Sequence, residues 1–175
     1  MRHILSFAFA AALGITMADT ASSMGDNTTT TSPTAKDCKK GEVWDKKNKK
    51  CVKAGAGVLP DEELYDQGRA LAKEGQYDWA LSVLAAISDQ NDPKVLNYIG
   101  YSHRKSGRID EGIVHYQKAL AIDPDFVLAR EYLGEGYVAS GKIELAKLEL
   151  SEIEKRCGTT CEEYQDLAEA IAAAQ

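Results

Sequence analysis

The sequence predicts an all-α solenoid: three helical hairpins and a seventh, capping helix, preceded by a flexible linker and a small disulfide-closed β-hairpin. Three observations carry that expectation. A glycine recurs in the matching stretches Glu74-Gly75-Gln76-Tyr77, Ser106-Gly107-Arg108-Ile109 and Ser140-Gly141-Lys142-Ile143, at intervals of 32 and 34 residues. Such a period marks units that cannot bury their own apolar face and must stack on a copy. Small residues fall in register with it, Gly68, Gly100 and Gly134 at position 8 and Ala80, Gly112 and Ala146 at position 20, where helix backbones must approach closely. Large apolar side chains fill the facing positions, with Leu64 and Leu96 at 4, Ile99 and Leu133 at 7, Tyr77, Ile109 and Ile143 at 17, and Leu84, Tyr116 and Leu150 at 24.

The units run 61–92, 93–126 and 127–160. Their pattern resembles the tetratricopeptide repeat family, including Pro124 at the inter-repeat position and Pro93 one place later in the first unit. The departures are local. Arg130 stands at the family's tryptophan position, Gln67 at an apolar one, and the first unit is two residues short. A final helix over 161–175 is expected from a Thr160/Glu163 capping box and an apolar stripe of Tyr164, Leu167, Ala168 and Ile171, which would cover the open end of the third unit.

In the family, the first helix of each repeat lines a concave face. The resemblance therefore implies a groove of Tyr65, Arg69 and Lys73, then Lys94, Asn97, Tyr101, Arg104 and Lys105, then Glu131, Glu135 and Val138. Tyrosine and arginine are common interface anchors. The expected ligand is an extended peptide or a partner's helix, its acidic part against Arg69, Arg104 and Lys105 and any basic part near Glu131 and Glu135. Asn97 alone matches the set with which some members grip a terminal carboxylate, so a chaperone-tail receptor is not expected.

Ahead of the solenoid, Arg2 and His3 precede an apolar run from Ile4 to Ile15, too short to span a bilayer, and Thr16-Met17-Ala18 offers small residues at a peptidase site. Residues 1–18 read as a secretory signal, with an uncleaved anchor as the alternative, and the mature chain as periplasmic or secreted. Residues 19–37 are Thr/Ser-rich, carry few apolar side chains and read as a disordered tether. Between Lys36 and Lys53 eight lysines face three acids, whereas residues 54–175 hold twelve basic and twenty-two acidic ones. A basic module on a leash would fold back on the acidic solenoid or bind an anionic surface. The acidic balance argues against nucleic acid as the solenoid's partner.

Four cysteines behind a secretion signal point to two disulfides, and their spacing suggests Cys38 with Cys51 and Cys157 with Cys161. The first would close a hairpin of strands 41–44 and 49–52 over the turn Asp45-Lys46-Lys47-Asn48, with Asp opening the turn and Asn at its left-handed position. The segment 38–53 resembles the last hairpin of a peritrophin-type chitin-binding module, and that likeness makes Trp44 a glycan contact; otherwise Trp44 covers the disulfide. For Cys157 and Cys161, with Gly158 as a left-handed helix terminator, three readings stand: a structural bond pinning the last helix, a redox-active pair, or a metal site. No nucleophile–base pair or phosphate-cradling loop appears, and no cofactor or metal is expected. The chain reads as a non-catalytic interaction module, with thiol–disulfide exchange and cell-wall glycan binding as the alternatives.

Overall fold

A computed structural model describes residues 34–175. The expected signal segment, most of the expected tether and the lead-in to residue 34 lie outside the described residues. Seven helices follow a two-stranded ribbon: β1 (Glu42–Asp45), β2 (Lys50–Lys53), α1 (Asp61–Lys73), α2 (Tyr77–Leu84), α3 (Pro93–Lys105), α4 (Ile109–Ile122), α5 (Val127–Ala139), α6 (Ile143–Cys157) and α7 (Glu162–Ala173). The helices pair as α1·α2, α3·α4 and α5·α6, stack in order, and α7 packs on both α5 and α6.

Each hairpin turns at its repeated glycine, where Gly75, Gly107 and Gly141 have φ of 79°, 89° and 70°. A side chain there would be strained, which explains why the turn residue repeats so strictly. The position-8 glycines admit a neighbour. A Cβ at Gly68 would lie 2.8 Å from Leu84, and one at Gly100 would lie 2.7 Å from the Tyr116 ring. The third unit departs from this arrangement. At Gly134 the nearest atoms belong to Leu167 of α7, at 2.5 Å from the built Cβ, and the expected partner Leu150 is only partly buried. The first unit is shortened after its turn glycine: α2 has 8 residues where α4 has 14, and a longer connection, 85–92, leads to α3.

Apolar burial divides into two main clusters and a small third. The first gathers Leu64, Leu71, Val83, Leu84 and Val95 with Val43 of the ribbon and Ala35 of a short 3-10 turn over Ala35–Asp37. The second gathers Ile113, Tyr116, Tyr132, Leu133, Ile153, Leu167 and Ile171. Leu96, Ala119 and Ala129 seal the joint between the second and third units. Full burial of one such leucine is worth about 1.5–3 kcal/mol relative to exposure, so the helices are held by stacking rather than by propensity.

Of the two placements expected for the basic module, the structure shows the one folded back on the solenoid. The ribbon docks on the first unit, and residues 34–37, assigned to the tether, are ordered against it. Both strands sit one residue later than expected, paired antiparallel with Trp44 opposite Cys51. The left-handed turn residue is Lys49, with φ 50°, not Asn48. Asn48 is instead consumed by Asp45, which accepts its backbone N–H at 2.9 Å and its side-chain amide at 2.6 Å. Gln67 explains its own departure from the repeat pattern: its Oε1 accepts from Trp44 N at 2.7 Å and its Nε2 donates to Trp44 O at 3.0 Å. Trp79 Nε1 donates to Glu42 O at 2.9 Å. The free edge of β1 is thereby satisfied by two side chains of the solenoid.

Both expected disulfides are formed, Cys38–Cys51 and Cys157–Cys161. The expected capping box of α7 is not. Cys161 is the N-cap and makes no side-chain cap bond, because the disulfide holds it at the helix start and leaves Thr160 one residue outside. Gly158 has positive φ, 78°, but its ψ of −171° is extended rather than left-handed helical.

Candidate peptide-binding groove

The first helices of the three units, with α7 as a fourth, enclose a recess of about 520 Å³ that includes Arg69 and Lys73 of α1, Tyr101 and Lys105 of α3, and Glu131 and Glu135 of α5. Those six were expected from the sequence. The recess also takes in Tyr98, Leu128 and Tyr132, and three carboxylates of α7, Glu162, Glu163 and Asp166. The α7 residues were missed because that helix was read only as a lid, although its acidic first turn was plain in the sequence.

A row of tyrosines runs into the groove from Tyr65, which lines the neighbouring recess of Lys94. Tyr65 and Tyr98 are 5.8 Å apart between ring centroids, Tyr98 and Tyr101 6.0 Å, and Tyr101 and Tyr132 5.1 Å. Their placement follows from helix geometry, since residues 98 and 101 lie one turn apart on α3 and residues 65 and 132 face them from the flanking helices. Lys73 spans the row, donating to Tyr132 Oη at 2.7 Å with its ammonium 5.0 Å from the Tyr101 ring centre. Burial is the main cause that pushes the Tyr65 hydroxyl up to about 12 and raises those of Tyr101 and Tyr132. All three stay protonated donors across the physiological range.

Several expected residues do other work. Arg104 is largely buried, pairs with Glu135, and donates from Nε to Tyr116 Oη at 3.2 Å, so its charge is spent inside the protein. Asn97 is fully buried and its amide finds no partner among the described residues, so it does not open on the groove. Lys94 is exposed beside Asp89 and Asp92 in a separate recess, and Val138 packs on the second cluster. Arg130, at the family's tryptophan position, ties the turn before α5 to α6 by donating to Pro124 O at 2.7 Å and pairing with Glu149 at 2.9 Å. His103 and His115 stack face to face, their ring centroids 5.5 Å apart. Desolvation is the first cause that depresses the pKa of each.

The remaining charges split the groove, Arg69 standing 3.8 Å from Asp66. Arg69 and Lys105 lie exposed on the α1–α3 side. Glu131 is only 5 % exposed, and burial first, then Glu135, Asp166 and Glu163, push its carboxyl up to about 8 against the opposing pull of Lys73. At the far end of the first unit, Trp44 lines a cavity of about 140 Å³ with Ala35, Ala70 and Leu71. Directly opposite Cys51 in the ribbon, it shares that residue's face, next to the disulfide.

Residues 93–126 match the Tetratricopeptide repeat family. No curated protein sequence matches the chain. Among solved structures, the first tetratricopeptide domain of Spaghetti (RPAP3) bound to the HSP90 peptide SRMEEVD is similar at TM-score 0.57 and 18% identity, over 67% of this chain and 95% of that one. The type III secretion translocator chaperone SycD of Yersinia enterocolitica is similar at TM-score 0.57 and 19% identity, over 65% of this chain and 81% of that one. MamA is similar at TM-score 0.52 and 27% identity, over 65% of this chain and 63% of that one. With the repeat matched at 93–126 and the hairpins on either side stacked in the same manner, the described chain is a solenoid of the tetratricopeptide fold.

Proposed function

We propose that the chain is a non-catalytic scaffold of the cell envelope or extracellular space that holds an extended peptide or a partner's helix in the groove between α1, α3, α5 and α7. The observation that carries this reading is the tyrosine row from Tyr65 to Tyr132, flanked by opposite charges on its two sides. Such side chains combine a broad apolar face with a polar tip and little rotamer entropy to lose, which suits them to gripping a peptide. The peptide bound to the RPAP3 domain supports the use of this fold for peptides. Two disulfides support an oxidising compartment, in keeping with the apolar segment Ile4 to Ile15 as an export signal.

Selection from a displayed random-peptide library on the oxidised protein tests the proposal. Selected peptides should lose at least ten-fold in affinity against Tyr101→Ala and keep it against Trp44→Ala. Peptides indifferent to Tyr101, or dependent on Trp44, would move the site off the groove and favour the ribbon.

The rival reading, thiol–disulfide exchange, has one observation in its favour: Cys157 is exposed and Cys161 begins α7, where a thiolate is stabilised. Catalytic turnover of a dithiol substrate that Cys157→Ser abolishes would establish it.

A further inference from the structure

The two sides of the groove differ in chemistry, and we propose that the α5–α7 side is a receptor for a lysine or arginine side chain of the bound peptide, with Glu131 as the carboxyl that accepts it. This rests on the peptide-groove reading above and adds the chemical class of the ligand.

Glu131 is buried to 5 % exposure, lines the recess, and receives no hydrogen bond or ion pair from any described residue. A carboxyl so placed is costly to ionise without a partner. No base of the recess pairs with it: Arg69 and Lys105 lie exposed on the α1–α3 side, Arg69 beside Asp66 at 3.8 Å. Glu135 is held by Arg104, and Lys73 donates to Tyr132 Oη at 2.7 Å. Glu162, Glu163 and Asp166 of α7 add three more carboxylates to the wall, with no ion pair of their own among the described residues. The α5–α7 wall of the recess therefore carries only acids around one buried, unpartnered carboxyl, while its bases stand on the α1–α3 side. That acid keeps its proton near neutrality, as the upward shift of its carboxyl to about 8 shows.

An incoming ammonium or guanidinium resolves the imbalance. It displaces the Glu131 proton to solvent, pairs with the carboxylate in a desolvated site, and relieves the repulsion from α7. A metal ion fits less well. Among the described residues the groups of three metal-ligating side chains close enough to share an ion are Cys38/Glu42/Cys51 and Cys157/Cys161/Glu163, and their cysteines are in disulfides. The groove carboxylates are spread along a wall rather than gathered to a point, which suits a long flexible cation.

The test is an amide-shift titration of the full, oxidised, isotope-labelled chain with two blocked peptides of equal length, one of Lys, Ala and Tyr and one of Glu, Ala and Tyr, with calcium as a third probe. The lysine peptide should shift the amides of Glu131, Glu163 and Asp166. Its affinity should fall at least ten-fold in Glu131→Gln and, independently, in the surface double variant Glu163→Gln/Asp166→Asn. The glutamate peptide should bind neither variant less well than the wild type. Lysine-peptide binding that is as tight in both variants as in the wild type, or calcium shifting the same amides in place of the peptide, overturns the proposal. Groove binding by the glutamate peptide alone overturns it while leaving the groove reading intact, and silence of α1, α3 and α5 to both peptides removes both.

Discussion

The two ends of this solenoid are sealed by different chemistry. At the N-terminal end the ribbon lays a strand edge on the first unit, and the contact is polar at its heart: Gln67 and Trp79 satisfy the backbone of Trp44 and Glu42. At the C-terminal end α7 drives Leu167 and Ile171 into the last unit, and the contact is apolar. Each cap carries a disulfide, one closing the ribbon on itself and one tying α7 to α6. The charges are opposite too. Lysines 39, 40, 46, 47, 49, 50 and 53 stud the first cap, while α7 holds Glu162, Glu163, Asp166 and Glu169 without a basic residue. Only the acidic cap reaches the groove. A cap is therefore free to be merely structural or also to line the recess, and which it does follows from the face its charges share.

The largest effect is expected at the apolar cap. Leu167→Ala should cost about 2–5 kcal/mol, because the side chain is fully buried against Gly134 and its loss leaves a cavity there. Thermal or urea unfolding measures it, and a loss below about 1 kcal/mol would mean that α7 is not integral to the fold. Next come the staples. On loop-closure entropy, removing Cys38–Cys51 with its separation of 13 residues should cost about 3 kcal/mol and removing Cys157–Cys161, with 4, about 2 kcal/mol. Paired serine variants measured in the same denaturant give the order; the reverse order would show that α7 depends on its bond more than the ribbon does.

At the polar cap, Gln67→Ala leaves a strand N–H and C=O without their partner and should cost about 1–3 kcal/mol. Proteolysis of the ribbon should accelerate with it, and unchanged protection would mean that Val43 and Trp79 suffice to hold the dock. The smallest effect is electrostatic. Glu131 binds its proton more tightly in the fold, up to about 8 against an ordinary 4.5. Its stabilisation is complete below the ordinary value and is lost as pH rises toward 8. His103 and His115, whose pKa values are lowered from 6.5, act the other way and remove stability as pH falls below that value. Melting between pH 6.5 and 8 isolates the carboxyl: wild type should lose stability across the window, and Glu131→Gln should flatten the slope. An equal slope in both would place Glu131 in a more solvated setting than its burial implies.

The stacking order of the helices was legible in the sequence because glycine at a turn and glycine under a neighbouring side chain have no substitutes, so Gly75, Gly100 and Gly107 announce their surroundings. Gln67 and Arg130 showed only as departures from the repeat. Their reasons, a strand edge and a turn carbonyl, are contacts 23 and 6 residues away in the chain, which no period reveals. The same limit applied to the groove. A family register indicates the face a residue shares, and Arg69, Lys73, Tyr101, Lys105, Glu131 and Glu135 line one recess. It does not indicate that Arg104 will be spent on Glu135, nor that a helix outside the register will contribute three carboxylates. The ribbon's docking was one of two expectations, and its cause was not legible: net charge suggested attraction, but the contact is made by an amide and an indole rather than by lysines.

The central claim is that the inner helices and α7 form one recognition surface. Hydrogen exchange on the oxidised chain, with and without a peptide selected for binding, tests it directly. Protection should appear in α1, α3, α5 and the first turns of α7, with α2, α4 and α6 unchanged; protection confined to the ribbon or to the outer helices would contradict it.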